Sequence, residues 1–405
     1  MIDAENLCKL IRKIPPDTGR DFLTRHFEIE LPELDSKQNL TQQRRQLCDA
    51  LEALSIKARQ HIEQAAEGIM LLSDAAGQDA LASLCTKHLT DESKSTISAI
   101  TSPCLRSLWF YENAHRLFVD ALNARQADIY RQSQTCYSGF VAPPNLEIHK
   151  DPDALAEFHR NIAKHLECAE KDVAIQLFCR LRTDAKSHDD TVLYQISIHY
   201  NLSPESIDCV QESELIAHDI IRAAATHVTY EPESGHLDVL SKERSEREAL
   251  AGIVADTLLG APFDGSKIPL KQYSYQCLAA PFVFDIADEP IHSVKVTELG
   301  FEGSDGGTSL TKLRQRDKDS IHAIAKSLYA SEFRFTEHHL NYAKITIKLR
   351  KEGRGRPRSI TIILRGDNQC NIKTKREQDR ALCDRLLIKW HLVREISDDD
   401  QSIAA

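Results

Sequence analysis

Residues 344–390 constrain the fold more than any other part of the chain, because two alternating hydrophobic stretches are followed there by a helical pattern. The stretches are residues 344–350 and 359–365, and in each the apolar residues recur at every second position. Alternation of this kind is typical of strands that bury one face. The link at residues 352–358 contains the glycines that a chain reversal needs, so the segment predicts a β-hairpin. The predicted core-facing residues are Ile345, Ile347, Leu349, Ile360, Ile362 and Leu364.

A helix is predicted directly after this hairpin. Thr374 and Glu377 have the spacing of a capping box, in which the side chains at the start of a helix satisfy free backbone amides. The apolar residues that follow recur at helical spacing and should pack on the sheet. They are Leu382, Cys383, Leu386, Leu387 and Trp390. The basic residues expected to face solvent are Lys375, Arg376, Arg380, Arg385 and Lys389.

The same segment has an unusual charge. Residues 344–380 contain twelve Lys and Arg against four Asp and Glu, a net charge of +8 in a chain of −10, which leaves −18 elsewhere. Such polarity offers polyanions one docking region and repels them from the remaining surface, as expected for binding to a phosphate backbone. The predicted nucleic-acid-binding residues are Lys344, Lys348, Arg350, Arg354, Arg356, Arg358, Arg365, Lys375, Arg376 and Arg380.

These residues are expected to act as three groups. The strand cations would hold phosphates, the loop arginines would enter a groove, and the cations at the helix N-terminus would clamp the backbone with the help of the helix dipole. Residues 353–358, Gly-Arg-Gly-Arg-Pro-Arg, resemble the AT-hook core, although Gly353 stands where a hook has proline. The resemblance implies minor-groove binding and favours DNA over RNA. The alternative is a soluble loop whose arginines protect an exposed sheet edge.

The N-terminal third of the chain is predicted to be helical. With 405 residues, of which 41% are hydrophobic, the chain is long enough for two domains. Apolar residues at helical spacing predict one long helix over residues 40–72, and a second over residues 105–134. The first helix could pack in a bundle or pair with a partner helix, and its alanines favour the bundle. Residues 1–140 are therefore interpreted as a helical domain that contacts other proteins.

The chain then changes character. Two prolines at residues 143 and 144 mark the boundary, so residues 145–396 are predicted to form an α+β domain with largely antiparallel strands, and residues 397–405 a disordered tail. The predicted strands include residues 193–200, 219–230, 237–240, 282–286 and 291–301, with a turn at 231–235. The predicted helices are residues 152–168, 244–259 and about 319–329. The fold class is thus α+β, with the helical domain first.

Catalytic motifs are not found in the sequence. Residues 260–267 have the glycine spacing of a P-loop, but serine and lysine are exchanged and a helix precedes them, so we reject this match. Asp219, Asp238 and Lys242 supply the residue types of a Mg²⁺-dependent nuclease, without its usual spacing. A solvent-facing ion pair is the simpler interpretation. No cofactor is expected.

The eleven cysteines occur singly, with no CxxC pair, which argues against a zinc ribbon and a secreted disulfide scaffold. The chain shows no signal-peptide pattern and no segment with the roughly 18 consecutive apolar residues of a membrane helix, so a cytoplasmic protein that does not bind a membrane is expected. The sequence therefore predicts a non-catalytic nucleic-acid-binding accessory or sensor protein, in a setting such as prokaryotic genome maintenance or antiviral defence. The alternatives are a scaffold subunit that docks an acidic protein, and the nuclease.

Overall fold

The computed structural model describes residues 5–35, 37–133, 135–183, 190–211, 213–268, 271–302, 307–312, 319–350, 358–366 and 369–394. The helices are α1 (Glu5–Lys13), α2 (Pro16–Phe27), α3 (Leu40–Glu52), α4 (Ile56–Leu72), α5 (Ala75–His88), α6 (Asp91–Ala99), α7 (Pro103–Asn113), α8 (His115–Gln132), α9 (Pro152–His165), α10 (Glu246–Val254), α11 (Ile321–Leu328) and α12 (Glu377–Lys389).

The strands are β1 (Tyr137–Val141), β2 (Val173–Thr183), β3 (Asp190–Asn201), β4 (Glu205–Gln211), β5 (Glu214–Ile220), β6 (Ala223–Glu231), β7 (His236–Leu240), β8 (Gln272–Tyr273), β9 (Ile291–Glu302), β10 (Thr308–Lys312), β11 (Leu340–Leu349), β12 (Ser359–Arg365), β13 (Gln369–Cys370) and β14 (Val393–Arg394). The helices come mostly first and the sheets are antiparallel, which confirms the predicted α+β class.

Contacts divide the chain into two compact units, one formed mainly by the described residues up to Ser266 and one mainly by those from Lys267 onward. The N-terminal helices and the first sheet therefore fall within the same unit. The independent domain proposed for residues 1–140 stays a prediction. The predicted tail at 397–405 lies outside the described residues.

The first unit contains the eight N-terminal helices, whose apolar faces share one core. Ile62, Ile69 and Leu72 of α4 are fully buried in it, as expected for packing in a bundle. The prediction of one long helix over residues 40–72 is wrong. Helix α3 ends at Glu52, and Ser55 caps a new helix by accepting a hydrogen bond from the Ala58 amide.

The second long helix, predicted over residues 105–134, is also interrupted. Its backbone leaves the helical region at Ala114, where φ is −145° and ψ is 53°, so α7 and α8 are separate helices. Aromatic residues of both helices pack in the core of this unit. Phe110 of α7 and Phe118 of α8 are buried, and the Tyr111 ring packs edge-on against Phe118.

A five-stranded antiparallel sheet in the order β1-β7-β6-β3-β2 completes this unit. Helices α9 and α10 pack on one face through a core that includes Phe158, Ile196 and Leu250. The predicted turn at 231–235 is confirmed, since Gly235 adopts a φ of 69° between β6 and β7. The strand predicted over residues 219–230 is divided between β5 and β6.

The opposite face of this sheet carries polar side chains that are nevertheless buried. Helix α8 contacts it through Asn123, which donates to Gln176 Oε1 of β2 and lies 3.1 Å from His199 Nε2 of β3. Ser197 Oγ and His227 Nδ1 lie 2.9 Å apart on neighbouring strands, and both residues are fully buried. These contacts give buried polar groups hydrogen-bond partners, and burial of such groups without partners would destabilise the fold.

The second unit contains an antiparallel sheet in the order β10-β9-β11-β12-β13. The predicted hairpin is confirmed, because β11 pairs with β12 and places Ile345 opposite Ile362 and Ile347 opposite Ile360. Five further predicted core residues, four in α12 and one directly after it, are buried, which confirms that the helix packs its apolar stripe on this unit's core. They are Leu382, Cys383, Leu386, Leu387 and Trp390.

Two local predictions in this unit are wrong. The capping box is absent: the residue before α12 is Arg376, its side chain makes no capping bond, and Thr374 Oγ1 instead donates to Asn371 O. Residues 282–286 form no strand. Phe282 and Phe284 face the core while Val283 is 92% exposed, so the side chains alternate as they would in a strand. The backbone does not pair with a neighbouring strand, and Asp285 O accepts a hydrogen bond from Trp390 Nε1.

Candidate nucleic-acid interface

The sheet of the second unit has one buried face and one open face. Side chains alternate between the faces along each strand. On β11, Ala343, Ile345 and Ile347 are buried, whereas the residues between them are half-buried or exposed. Strand β12 shows the same pattern. The second set of side chains therefore forms a surface open to solvent, which we call the outer face.

The strand register defines which residues share the outer face. Lys344 lies opposite Glu298 on β9, and Lys348 lies opposite Ser293. On the other side, Tyr342 lies opposite Arg365 on β12. Within the described strands, this face carries five cationic side chains and two carboxylates. The cations are Lys295, Lys312, Lys344, Lys348 and Arg365, and the carboxylates are Glu298 and Glu302.

Glu298 is the residue of the outer face that contacts the most cationic side chains. Its carboxylate lies 3.1 Å from Lys344 Nζ and 3.9 Å from Lys312 Nζ, and it accepts a 3.0 Å hydrogen bond from the Tyr342 hydroxyl. Its side chain is only 14% exposed. The carboxylate therefore pairs with one lysine from each of the two neighbouring strands, β10 and β11.

These contacts determine the protonation of the pair. Burial opposes ionisation of Glu298, but hydrogen bonds from Lys344 and Tyr342 and the lysine charges outweigh it, so its pKa lies below the ordinary value of 4.5. Burial, together with the hydrogen bond to Glu298, raises the pKa of Tyr342. At neutral pH the face therefore presents an ionised Glu298 and a neutral phenol.

The remaining cations are available to a ligand to different degrees. Lys295 and Lys348 are exposed. The Arg365 guanidinium lies 5.4 Å from the centroid of the Tyr342 ring, a cation–π contact that orients it while the residue stays exposed. Thr297 and Thr346 lie between the lysines, with hydroxyl oxygens 3.0 Å apart. The face thus combines fixed charge with hydroxyl groups.

The structure brings only some of the sequence-predicted residues together. Lys344, Lys348 and Arg365 come together on the outer face. Arg358 has the alternation of the buried face and points toward α12, where its Nη1 lies 2.5 Å from Asp379 Oδ2. Arg376 contacts the same carboxylate oxygen at 3.2 Å.

Asp379 therefore neutralises part of the positive charge at the N-terminus of α12. Lys375 and Arg380 are half-buried near it. Arg350 directly follows β11, is exposed, and donates through Nε to Ile291 O at 3.2 Å. Arg354 and Arg356 lie outside the described residues.

The basic residues of α12 that were expected to face solvent are largely engaged, which corrects that expectation. Arg385 makes two hydrogen bonds to Glu289, whose side chain is fully buried. Lys389 donates to Ala287 O and pairs with Asp285. These cations stabilise the fold of the unit, and the helix contributes less free charge than the sequence suggested.

The residues considered for a nuclease are not arranged as that chemistry requires. Asp219 is in β5, which pairs with β4, whereas Asp238 is in β7 of the five-stranded sheet. Lys242 lies beyond the end of β7, with Nζ 6.0 Å from the Tyr130 ring, and Asp238 accepts from the Tyr137 hydroxyl. Among the residues that the structure describes, no cluster of His, Cys, Asp or Glu is placed to hold a metal ion.

Sequence reasoning missed Lys295, Lys312 and Glu298. Residues 291–301 were correctly predicted as a strand, but which of their polar residues face Lys344 depends on the pairing of β9 with β11. That pairing contains irregularities, including an extra residue near Thr297. A bulge shifts the side-chain alternation by one, so the charge of this face could not be assigned from either strand alone.

No helix in the described part of the chain combines the length and the apolar character needed to cross a membrane. All eleven cysteines are free thiols. Comparison with known proteins adds no further assignment: no family model matches the sequence, and no curated protein matches it.

Proposed function

We propose that this chain is a non-catalytic nucleic-acid-binding protein, and that the outer face of its second sheet holds the sugar-phosphate backbone. The observation that supports this most is the charge of that face. Five cations and two carboxylates share it, in a chain whose net charge is −10. A local positive surface on an acidic protein is the electrostatic signature of polyanion binding.

The geometry suits contacts to a backbone. Lys344 and Lys348 are four residues apart on one strand, which separates their Cα atoms by about 14 Å. Lys295 and Arg365 flank that row from the neighbouring strands. A nucleic acid laid across the strands could therefore meet several cations at once, and each contact would release condensed counterions.

The same face predicts little sequence preference. Single-stranded nucleic acids gain affinity when bases stack on exposed aromatic rings. Tyr342 is the aromatic residue among the described outer-face positions, and its ring already contacts Arg365 while its hydroxyl binds Glu298. Binding would thus depend on phosphates, which position a nucleic acid without reading its bases.

An acidic protein is the rival ligand, because carboxylates would use the same cations. Fluorescence anisotropy with AT-rich duplex, GC-rich duplex, single-stranded DNA and RNA tests the proposal directly. The outer-face variant combines Lys295→Gln, Lys348→Gln and Arg365→Gln and leaves the Lys344–Glu298 pair intact. A matched control, Arg45→Gln with Lys57→Gln and Lys164→Gln, removes three exposed cations of the first unit.

For each nucleic acid that the wild-type protein binds, we expect the outer-face variant to bind at least about tenfold more weakly at 100 mM salt. The control should bind with the wild-type affinity. Equal affinities for the two variants would contradict the assignment to this face. If the wild-type protein binds none of the four nucleic acids at 50 mM salt, nucleic-acid binding is refuted and the acidic protein partner is favoured.

A further inference from the structure

Strands β4 and β5 form a two-stranded ribbon that pairs with no other strand in the described chain. Both of its faces are open to solvent. Val210 is 74% exposed, Leu215 70%, Ile207 42% and Ile216 36%. Isolated two-stranded hairpins are marginally stable in water, and clustered exposed aliphatic residues mark interaction surfaces. The ribbon therefore has the properties of a segment that another surface covers.

The free edge of β5 is not protected against pairing. Natural edge strands usually carry lysine, proline or a bulge that prevents another strand from adding. Residues 214–220 read Glu-Leu-Ile-Ala-His-Asp-Ile, with no lysine, arginine or proline, and their register with β4 is regular from Glu214 to Ile220. The backbone of β5 is thus a template for a further antiparallel strand.

The side chains of β5 are complementary to a second copy of β5. We infer that two copies of this chain dimerise by antiparallel pairing of their β5 strands about a two-fold axis at Ile216. This register places Glu214 opposite His218 of the second copy, twice by symmetry. It also places Ile216 opposite Ile216 and Leu215 opposite Ala217. Cross-strand pairs of this kind stabilise antiparallel sheets, and no like charges face each other.

Other pairings of the same ribbon are less complementary. A two-fold axis at Ala217 would place Asp219 opposite Leu215 and Glu214 opposite Ile220. Pairing through β4 about Asp208 would place two carboxylates directly opposite each other, which is destabilising. The Ile216 register also extends an apolar row, because Cys209 lies opposite Ile216 within each ribbon. The dimer would contain a continuous four-stranded sheet.

Sedimentation velocity without nucleic acid tests the dimer separately from the proposed function. We expect a concentration-dependent monomer–dimer equilibrium for wild type. His218→Glu should raise the dissociation constant at least about tenfold, because it places two carboxylates opposite each other in both symmetric pairs. Adding Glu214→His to that variant exchanges the two residues and should restore dimerisation. A wild-type protein that stays monomeric up to about 100 μM, or an exchange variant that does not recover, would overturn the proposal.

Disulfide formation tests the register. Residues directly opposite in antiparallel strands have Cα atoms about 4.5–5.5 Å apart, which is within the range of a disulfide. In a background with the exposed Cys209 and Cys277 replaced by serine, Ile216→Cys should form a cross-linked dimer under mild oxidation. The control is Leu215→Cys, which is more exposed, but whose two copies would be about 8 Å apart in this register.

The control should cross-link at least about fivefold more slowly. Equal rates for the two variants would mean that the copies meet by random collision, and faster cross-linking of Leu215→Cys would mean a different register. Either result would overturn pairing about Ile216. The ribbon lies outside the buried cores, so none of these variants should lower the stability of the fold.

Discussion

Lys344 and Glu298 lie opposite each other on neighbouring strands of the second sheet, and their charged groups are 3.1 Å apart. The Tyr342 hydroxyl and Lys312 complete the surroundings of the carboxylate. Glu298 therefore fixes the position of the outer-face lysines and at the same time cancels part of their charge. Binding and stability should respond to its removal in opposite directions.

We expect Glu298→Gln to bind nucleic acid more tightly than wild type, by about threefold at 100 mM salt, because it raises the net charge of the outer face and releases Lys344 and Lys312. Glu302→Gln is the matched control, since it removes an exposed carboxylate of the same strand without releasing a paired lysine. It should increase affinity less. Fluorescence anisotropy measures both, and weaker binding by Glu298→Gln would contradict the proposed role of the face.

The stability contributed by Glu298 should depend on pH. Because its pKa is lower in the folded chain than its ordinary value of 4.5, the ionised form stabilises the fold above that value. This contribution should decrease as the pH falls below 4.5 and be lost as the pH falls through the lower pKa of the folded chain. Urea unfolding of wild type and Glu298→Gln at pH 7 and at about pH 3 measures it. The two free energies of unfolding should differ at pH 7, by about 1–2 kcal/mol, and converge in acid; a constant difference would be inconsistent with this assignment.

Arg385 and Glu289 form a buried pair that should be sensitive to loss of one partner. The Glu289 side chain is fully buried and receives two hydrogen bonds from the guanidinium. Arg385→Met would leave a buried carboxylate without this partner, at a cost of about 3–5 kcal/mol in the free energy of unfolding. The control is Lys271→Met, which breaks the more exposed pair with Asp384 and should cost less than about 1 kcal/mol. Similar urea midpoints for the two variants would show that the buried pair contributes no more to the free energy of unfolding than the exposed pair.

The β11–β12 hairpin could be predicted from sequence because the buried residues of both strands recur at every second position. Ile345 and Ile362 each follow the period of two, and the structure pairs them directly. The helix break at Ser55 had a local signal, a serine that caps the next turn, but the continuous apolar spacing concealed it. The irregular segment around Val283 alternates like a strand and lacks only a neighbour to pair with, which no local pattern reveals.

The polar face of the first sheet shows a second limit. Gln195, Ser197 and His199 alternate with aliphatic residues, a pattern that usually indicates a solvent-facing side. Here the helical region covers that side: Gln195 and Ser197 are fully buried, and Asn123 of α8 binds His199. Likewise, Lys344, Lys348 and Arg365 could be recognised from sequence, whereas the contact of Arg358 with Asp379 depends on how the sheet packs against α12.

The thiols of the second unit should differ in reactivity. Burial raises the pKa of Cys383 to about 12, and the residue is fully buried in the core of this unit. Its thiolate should therefore be rare at neutral pH and out of reach of a reagent. Alkylation with iodoacetamide at pH 7.5, followed by peptide mass spectrometry, should label the exposed Cys277 in the native protein and Cys383 only after unfolding. Labelling of both at similar rates in the native state would contradict the packing of α12.

The salt dependence of nucleic-acid binding tests the central claim most directly. Each phosphate contact contributes about 0.7–0.9 to the slope of log K against log salt concentration. The outer-face variant with Lys295, Lys348 and Arg365 replaced by glutamine should therefore lose about 2–3 units of slope relative to wild type, while the control with Arg45, Lys57 and Lys164 replaced should keep the wild-type slope. Identical slopes for all three proteins would contradict binding through the outer face.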